Sequence, residues 1–127
     1  MDVTTLVCDD DSSYRAVVRD ILEGKGARVI EASDGQEALS IFMKDKIDLV
    51  VTDFLMPKLD GLQMIRNIRM TGERGSVPIV LMSAISKSHM LADSPEWGPD
   101  HYINKPFKPK KMAKLLDRVL SDLHERR

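Results

Sequence analysis

A lone cysteine, Cys8, leaves this chain unable to form an internal disulfide, which excludes a disulfide-stapled secreted scaffold and favours a reducing compartment. Long apolar runs are missing too: none approaches the ~20 residues needed to cross a bilayer, so no membrane span is expected. The start, Met1-Asp2-Val3-Thr4-Thr5, has neither the basic region nor the apolar core of a signal peptide, and the expected location is cytoplasmic. Nor is there an excess of charge: 19 basic residues face 20 acidic ones, which gives no overall reason to expect direct contact with nucleic acid or an anionic membrane. His89, His101 and His124 lack the spacing of metal ligands, which argues against zinc. No repeat, low-complexity tract or linker marks a second domain. The 127 residues, 43% hydrophobic and 31% charged, therefore read as one globular domain large enough to bury a core.

What is present alternates between short apolar runs and helical patterns. Leu6-Val7-Cys8 is a strand stopped by Asp9-Asp10-Asp11, after which Tyr14, Val17, Val18, Ile21 and Leu22 recur at helical spacing, with Asp11 or Ser12 as N-cap and Gly24 or Gly26 as stop. Arg28–Ala32 alternates like a second strand, and Asp34 with Glu37 resembles a capping box opening a helix through about Met43. Leu49-Val50-Val51-Thr52 is too uniformly apolar for a strand with one wet face, so helices should cover both faces of its sheet; it ends at Asp53. Asp60 can cap a third helix with Leu62, Ile65 and Ile68 on its inner face, ending at Thr71-Gly72. Val77 to Ser83 is a fourth strand with Pro78 near its start. Ser86 to about Ala92 has room only for a short fourth helix before the breaker cluster Ser94-Pro95-Glu96-Trp97-Gly98-Pro99. His101–Asn104 is a fifth strand, and the last helix starts near Pro109 with Met112, Leu115, Leu116, Val119, Leu120 and Leu123 on one face.

Five strands alternating with five helical segments imply an α/β fold with a parallel sheet and right-handed crossovers, whose ligand crevice lies beyond the carboxyl ends of the strands. The polar residues at those ends are Asp9, Asp10, Asp53, Ser83 and Lys105. Taken singly, Asp9-Asp10-Asp11 is an N-cap with a solvated acidic turn and Lys105 a surface lysine. Joint placement at one rim changes both readings. Three crowded carboxylates repel one another unless a cation joins them, and a hard divalent ion such as Mg2+ suits oxygen ligands while leaving positions for phosphate oxygens. With the Lys105 amine it would offset the charge of a phosphoryl group, and a carboxylate can be the nucleophile that receives one. Asp53, on the central strand, is best placed for that, with Ser83 as a hydrogen-bond donor to a phosphoryl oxygen.

Asp9-Asp10 after the first strand, Asp53-Phe54-Leu55-Met56-Pro57 through Asp60-Gly61, Ser83-Ala84 after the fourth strand, and Lys105-Pro106-Phe107 together resemble the receiver domain of two-component response regulators, over essentially the whole chain. The resemblance implies a flavodoxin-like, doubly wound sheet of order 2-1-3-4-5 with five helices, an order chemotaxis receivers exemplify. It implies that Asp53 accepts a phosphoryl group from a phosphohistidine on a partner kinase or histidine phosphotransfer protein. Asp10, Asp53 and the backbone carbonyl of Leu55 would ligate Mg2+, with Asp9 reaching it through water. Lys105 would pair with the phosphoryl group and Asp53, across a cis bond to Pro106, Ser83 would move toward the phosphate, and Tyr102 would change rotamer as readout. The output would be an altered surface around the fourth helix, fifth strand and last helix, offered to a downstream protein or fused output domain, with no catalysis beyond the chain's own phosphoryl transfer and slow autodephosphorylation.

Two features depart from the family's usual pattern. Pro95, Trp97, Gly98 and Pro99 replace a full helix and small-residue turn, so the fourth helix should be short or irregular, with Trp97 either a partner anchor or a folded-back aromatic. Leu55 and Ile85 stand where, in the family, two variable side chains flank the approaching water; both are apolar, so a long-lived phosphoryl group is expected. A haloacid-dehalogenase-like phosphatase would need a second Asp where Leu55 stands, and a cap domain. A flavodoxin-like cofactor carrier would need a Ser/Thr/Gly-rich loop where Asp9-Asp10-Asp11 would repel phosphate. A receiver used only for binding, without phosphorylation, has no need of the intact acid pair, Asp53 and Lys105. Cys8 reads as a buried strand residue, most Met residues as core filler, and Lys108, Lys110, Lys111, Lys114, Arg118, Arg126 and Arg127 as a solvated basic face. With no helix-turn-helix present, output through association is the expectation if the natural chain ends here.

Overall fold

The computed structural model describes residues 2–85 and 97–126. Its strands are β1 (Thr4–Cys8), β2 (Arg28–Ala32), β3 (Leu49–Asp53), β4 (Ile79–Ser83) and β5 (His101–Asn104). They form one parallel sheet of order β2-β1-β3-β4-β5, the doubly wound order that the resemblance implied. The helices among the described residues are α1 (Ser12–Gly24), α2 (Gly35–Lys44), α3 (Gly61–Arg69) and α4 (Pro109–Arg126). The short helix expected over 86–92 lies outside the described residues, so α4 is the last helix of the sequence.

Every residue of β3 and β4 is buried, because side chains alternate between two helical layers. Val7, Leu49, Val51, Val80 and Met82 pack with Val18 and Leu22 of α1 and Met112, Leu116 and Val119 of α4. Leu6, Val50, Ile79 and Leu81 face Ala38 and Phe42 of α2 and Met64, Ile65 and Ile68 of α3. The helix starts follow from caps. Asp11 accepts the Ser13 N–H, Asp34 the Glu37 N–H, and Asp60 the Gln63 N–H in a full capping box. At α2 the box is modified, since Glu37 reaches back to the Ser33 N–H, one residue before the cap. Past the end of α1, Gly26 takes φ 87, the left-handed conformation that glycine tolerates.

One element escapes the sequence pattern: a 3-10 turn, Gly72–Ser76, between α3 and β4. Arg74 explains its place, because the guanidinium donates to the carbonyls of Phe42, Met43 and Asp45 and so caps the end of α2 while lying 5.4 Å from the Phe42 ring centroid. Arg69 has a parallel role at the end of α3. Its guanidinium donates to the carbonyls of Gly75 (2.9 Å), Val77 (2.5 Å), Trp97 (3.2 Å) and Gly98 (3.2 Å) and to the Asp100 carboxylate (2.8 Å). Asp100 in turn accepts the Ile79 N–H at 2.8 Å, so Arg69 ties α3 to the entries of β4 and β5. Arg69→Ala should cost about 2–3 kcal/mol in urea unfolding, because it strands several carbonyls and an acid in a half-buried seam; a change below about 0.5 kcal/mol would mean that water replaces the guanidinium. Trp97 is half-buried against the α2/α3 layer, and the shortened helix that a folded-back Trp97 would cover lies outside the described residues.

Candidate functional site

The strand ends deliver their side chains to one edge of the sheet. Asp9 follows β1, Asp53 closes β3, Ser83 closes β4 and Lys105 follows β5. β3 is flanked by β1 and β4, so Asp53 stands in the middle of that edge. The Asp60-Gly61 pair has a structural reason here: the Gly61 N–H donates to the Phe54 carbonyl at 2.7 Å, and a Cβ at Gly61 would lie 2.4 Å from the Asp53 carbonyl oxygen. Only glycine lets α3 begin so close to the end of β3.

The Lys105 ammonium sits 2.7 Å from Asp9 Oδ2 and 3.2 Å from Asp53 Oδ2. Asp9 is fully buried and also accepts the Asp11 N–H at 2.9 Å through Oδ1. Arg15 donates to the Asp9 backbone carbonyl at 2.6 Å and pairs with Glu31, a contact nothing in the helical pattern revealed. Asp53 Oδ1 accepts the Phe54 N–H at 2.8 Å, which fixes its rotamer while Oδ2 faces Lys105. One oxygen from each of Asp9, Asp10 and Asp53 falls within a 4.8 Å group, with Asp10 exposed at the mouth. Three carboxylate oxygens without a soft donor are a set that a hard divalent cation fits.

Burial pushes the Asp53 carboxyl above the ordinary carboxylate range, nearby Asp9 adds to the rise, and Lys105 opposes it. For Lys105, burial works against the charged form, but the hydrogen bond with Asp9 and the charge of Asp53 outweigh it and the ammonium is held above its ordinary value. Cys8 lies just below. Burial pushes its thiol up to about 12, which leaves it inert as a nucleophile.

Ser83 is buried, and its Oγ accepts the Ile85 N–H at 3.0 Å. The Ile85 carbonyl accepts from the Tyr102 hydroxyl, and Asn104 donates to that carbonyl (3.3 Å) and to the Tyr102 oxygen (3.2 Å). Burial raises the Tyr102 phenol, with hydrogen bonds to Ser83 and Asn104 pulling the other way. Ser83 and Tyr102 thus share one network through the loop after β4. Leu55 is 58% exposed beside the acids, whereas Ile85 packs against the core. The Lys105–Pro106 bond is cis. Lys58 has φ 71 and its ammonium lies 3.6 Å from the Asp34 carboxylate, so the loop after β3 is tied to the start of α2.

A family model described as the response regulator receiver domain matches residues 5–117. A probable transcriptional regulator ycf27 of Porphyridium aerugineum is 41% identical over 115 residues, 91% of this chain and 47% of that protein. The chain spans about half the length of such relatives. Chemotaxis protein CheY-3 of Vibrio cholerae is 33% identical over 119 residues, covering 93% of this chain and 92% of that one. Among solved structures, the chemotaxis response regulator CheY4 of Vibrio cholerae aligns with TM-score 0.86 and 28% identity, covering 94% of this chain and 99% of its own. The receiver domain of a sensor histidine kinase, PA1611 of Pseudomonas aeruginosa, solved with a magnesium ion coordinated in its active site cleft, aligns with TM-score 0.81 and 25% identity over 95% of this chain and 99% of that one.

Proposed function

Because the chain belongs to the response regulator receiver family of two-component signalling, we propose that it is a phosphorylation-dependent switch whose phosphoryl acceptor is Asp53. The observation that carries this reading is the Lys105 ammonium held by both Asp9 and Asp53 at the centre of the sheet edge. Residues 1–127 act as one receiver domain in the cytoplasm, and the donor is a phosphohistidine on a partner kinase or phosphotransfer protein.

In the transfer, a carboxylate oxygen of Asp53 attacks the phosphorus. The O–P bond forms as the P–N bond breaks, and the imidazole nitrogen keeps the electron pair and takes up a proton from water. The Phe54 N–H holds the carboxylate in its rotamer through Oδ1, while Oδ2 faces Lys105. Lys105 meets the charge on the arriving phosphoryl oxygens without having to be recruited from solvent. Asp10, Asp53 and the Leu55 carbonyl, with Asp9 through water, would hold Mg2+ as the family resemblance implies, and the ion would supply further positive charge to the phosphoryl group; one oxygen from each of the three acids lies close enough to the others for such a site. Ser83 then donates to a phosphoryl oxygen, which draws on the loop whose Ile85 carbonyl holds Tyr102; the resulting change in Tyr102 alters the surface of β5 and α4 presented to a downstream protein or output domain.

Incubation with Mg2+ and acetyl phosphate should add one phosphoryl mass to the intact chain; steady hydrolysis of small phosphate esters without labelling would favour the phosphatase instead. By the family resemblance, Leu55 and Ile85 would flank the acyl phosphate once it forms, and their apolar side chains would offer an incoming water no hydrogen bond. Its half-life should be minutes or longer, shortened several-fold in Leu55→Asn. Loss within seconds from the unmodified chain would contradict that role for the apolar pair.

A further inference from the structure

The Lys105 ammonium has a third neighbour that the phosphoryl chemistry does not call on. Its Nζ lies 4.1 Å from the centroid of the Tyr14 ring, and the edge of Phe107 meets that ring at 5.5 Å between centroids and 61° between planes. Tyr14 comes from the first turn of α1, and Phe107 lies two residues beyond Lys105. The Lys105 side chain is only 11% exposed, so the ring stands where solvent would otherwise reach it. A lysine is a compact charge on a flexible four-carbon stem, and two acids attract it without fixing its path. An aromatic face adds an attraction of the same sign from a different direction, strengthened where water is excluded.

Resting on the assignment of Asp53 as acceptor, we infer that Tyr14 is a positioning residue for phosphoryl transfer: its ring holds the Lys105 ammonium between Asp9 and Asp53 by cation–π attraction, with Phe107 setting the tilt of the ring. As the transfer proceeds, the negative charge beside Lys105 passes from the Asp53 carboxylate to the phosphoryl oxygens, and Asp9 and the Tyr14 ring are contacts of the ammonium that need not change with it.

The test uses the full chain, with Mg2+ and acetyl phosphate as donor, in Tyr14→Leu, Tyr14→Phe and a series carrying progressively fluorinated phenylalanines at position 14. Fluorine withdraws electron density from the ring face with little change in shape. The uptake rate should fall about fivefold in Tyr14→Leu and step down with each fluorine, while Tyr14→Phe stays within about twofold of the unmodified chain. A second readout needs neither metal nor donor: the Lys105 ε-methylene protons should show an upfield ring-current shift that persists in Tyr14→Phe and disappears in Tyr14→Leu. A rate flat across the fluorine series, or the absence of that shift in the unmodified chain, overturns the inference. The series stands even if Tyr14→Leu folds poorly. An unmodified chain that takes up no phosphoryl group overturns the acceptor reading and this role with it, whereas a labelled chain with a flat series overturns the role of Tyr14 alone.

Discussion

Asp53→Asn should take up no phosphoryl group from acetyl phosphate or a phosphohistidine donor, and in metal-free buffer near neutral pH it should be more stable than the unmodified chain. The first half follows because an amide oxygen carries no full negative charge and is a poor nucleophile toward phosphorus. The second follows from the raised Asp53 carboxyl, whose largest cause is burial and whose next is Asp9. As pH climbs through the ordinary carboxylate range, the unfolded chain ionises this group before the folded one does. The folded state then binds more protons, and stability falls until the pH has passed the raised value. Asn does not titrate, so the advantage of the variant should be present at neutral pH and vanish in acid. Urea midpoints measured across that range, alongside intact mass, check both halves. Phosphoryl uptake by the variant would move the acceptor elsewhere.

Lys105→Met should pull two properties in opposite directions. Methionine keeps much of the stem and removes the charge that sits 2.7 Å from Asp9 and 3.2 Å from Asp53. Without it the arriving phosphoryl oxygens lose a positioned cation, and uptake should slow by about 10²–10³-fold, the scale seen when one such preorganised group is removed. Divalent-ion binding should tighten, by about tenfold, because a positive charge no longer competes for the same acids. Asp9 is fully buried and would lose its counter-charge, so the metal-free variant should be destabilised, and Mg2+ should restore part of the loss. Titration of Mg2+ against the amide signals of the residues around Asp9, Asp10 and Asp53 gives the affinity, and intact mass against time gives the rate. If both properties weaken together, Lys105 is holding the acids in place rather than serving the phosphoryl group.

Much of this site was legible because strand ends are legible. Four apolar runs stop at Asp9, Asp53, Ser83 and Lys105, and the parallel topology leaves one edge for all of them. Helix starts at Asp11, Asp34 and Asp60 followed from side-chain caps, whose chemistry is local. The strand order came from the resemblance, since alternation alone does not order strands. Bounds drifted by a residue or two: β1 starts at Thr4 and β4 at Ile79, where the preceding Val77-Pro78 stays outside the ladder. What stayed hidden depends on long-range partners. Gly72–Ser76 reads as a loop, and only the packed sheet shows why it coils, with Gly75 pressed so close to the Ile68 carbonyl that a Cβ would lie 2.3 Å away. Arg69 and Arg74 look like solvated charges until the carbonyls they serve are seen. Tyr14 fits the inner face of α1 by period, and periodicity does not tell a ring in the core from one beneath an ammonium.

Phosphorylation at one carboxylate is tested most directly by chemical trapping. After brief exposure to Mg2+ and acetyl phosphate, borohydride reduces an acyl phosphate to the alcohol, which turns the modified aspartate into homoserine and leaves free carboxylates untouched. Peptide mapping should place homoserine at position 53 alone, dependent on the donor and abolished by chelating the metal. Homoserine at Asp9 or Asp10, or an unmodified chain under conditions where its fold is intact, would contradict Asp53 as the acceptor.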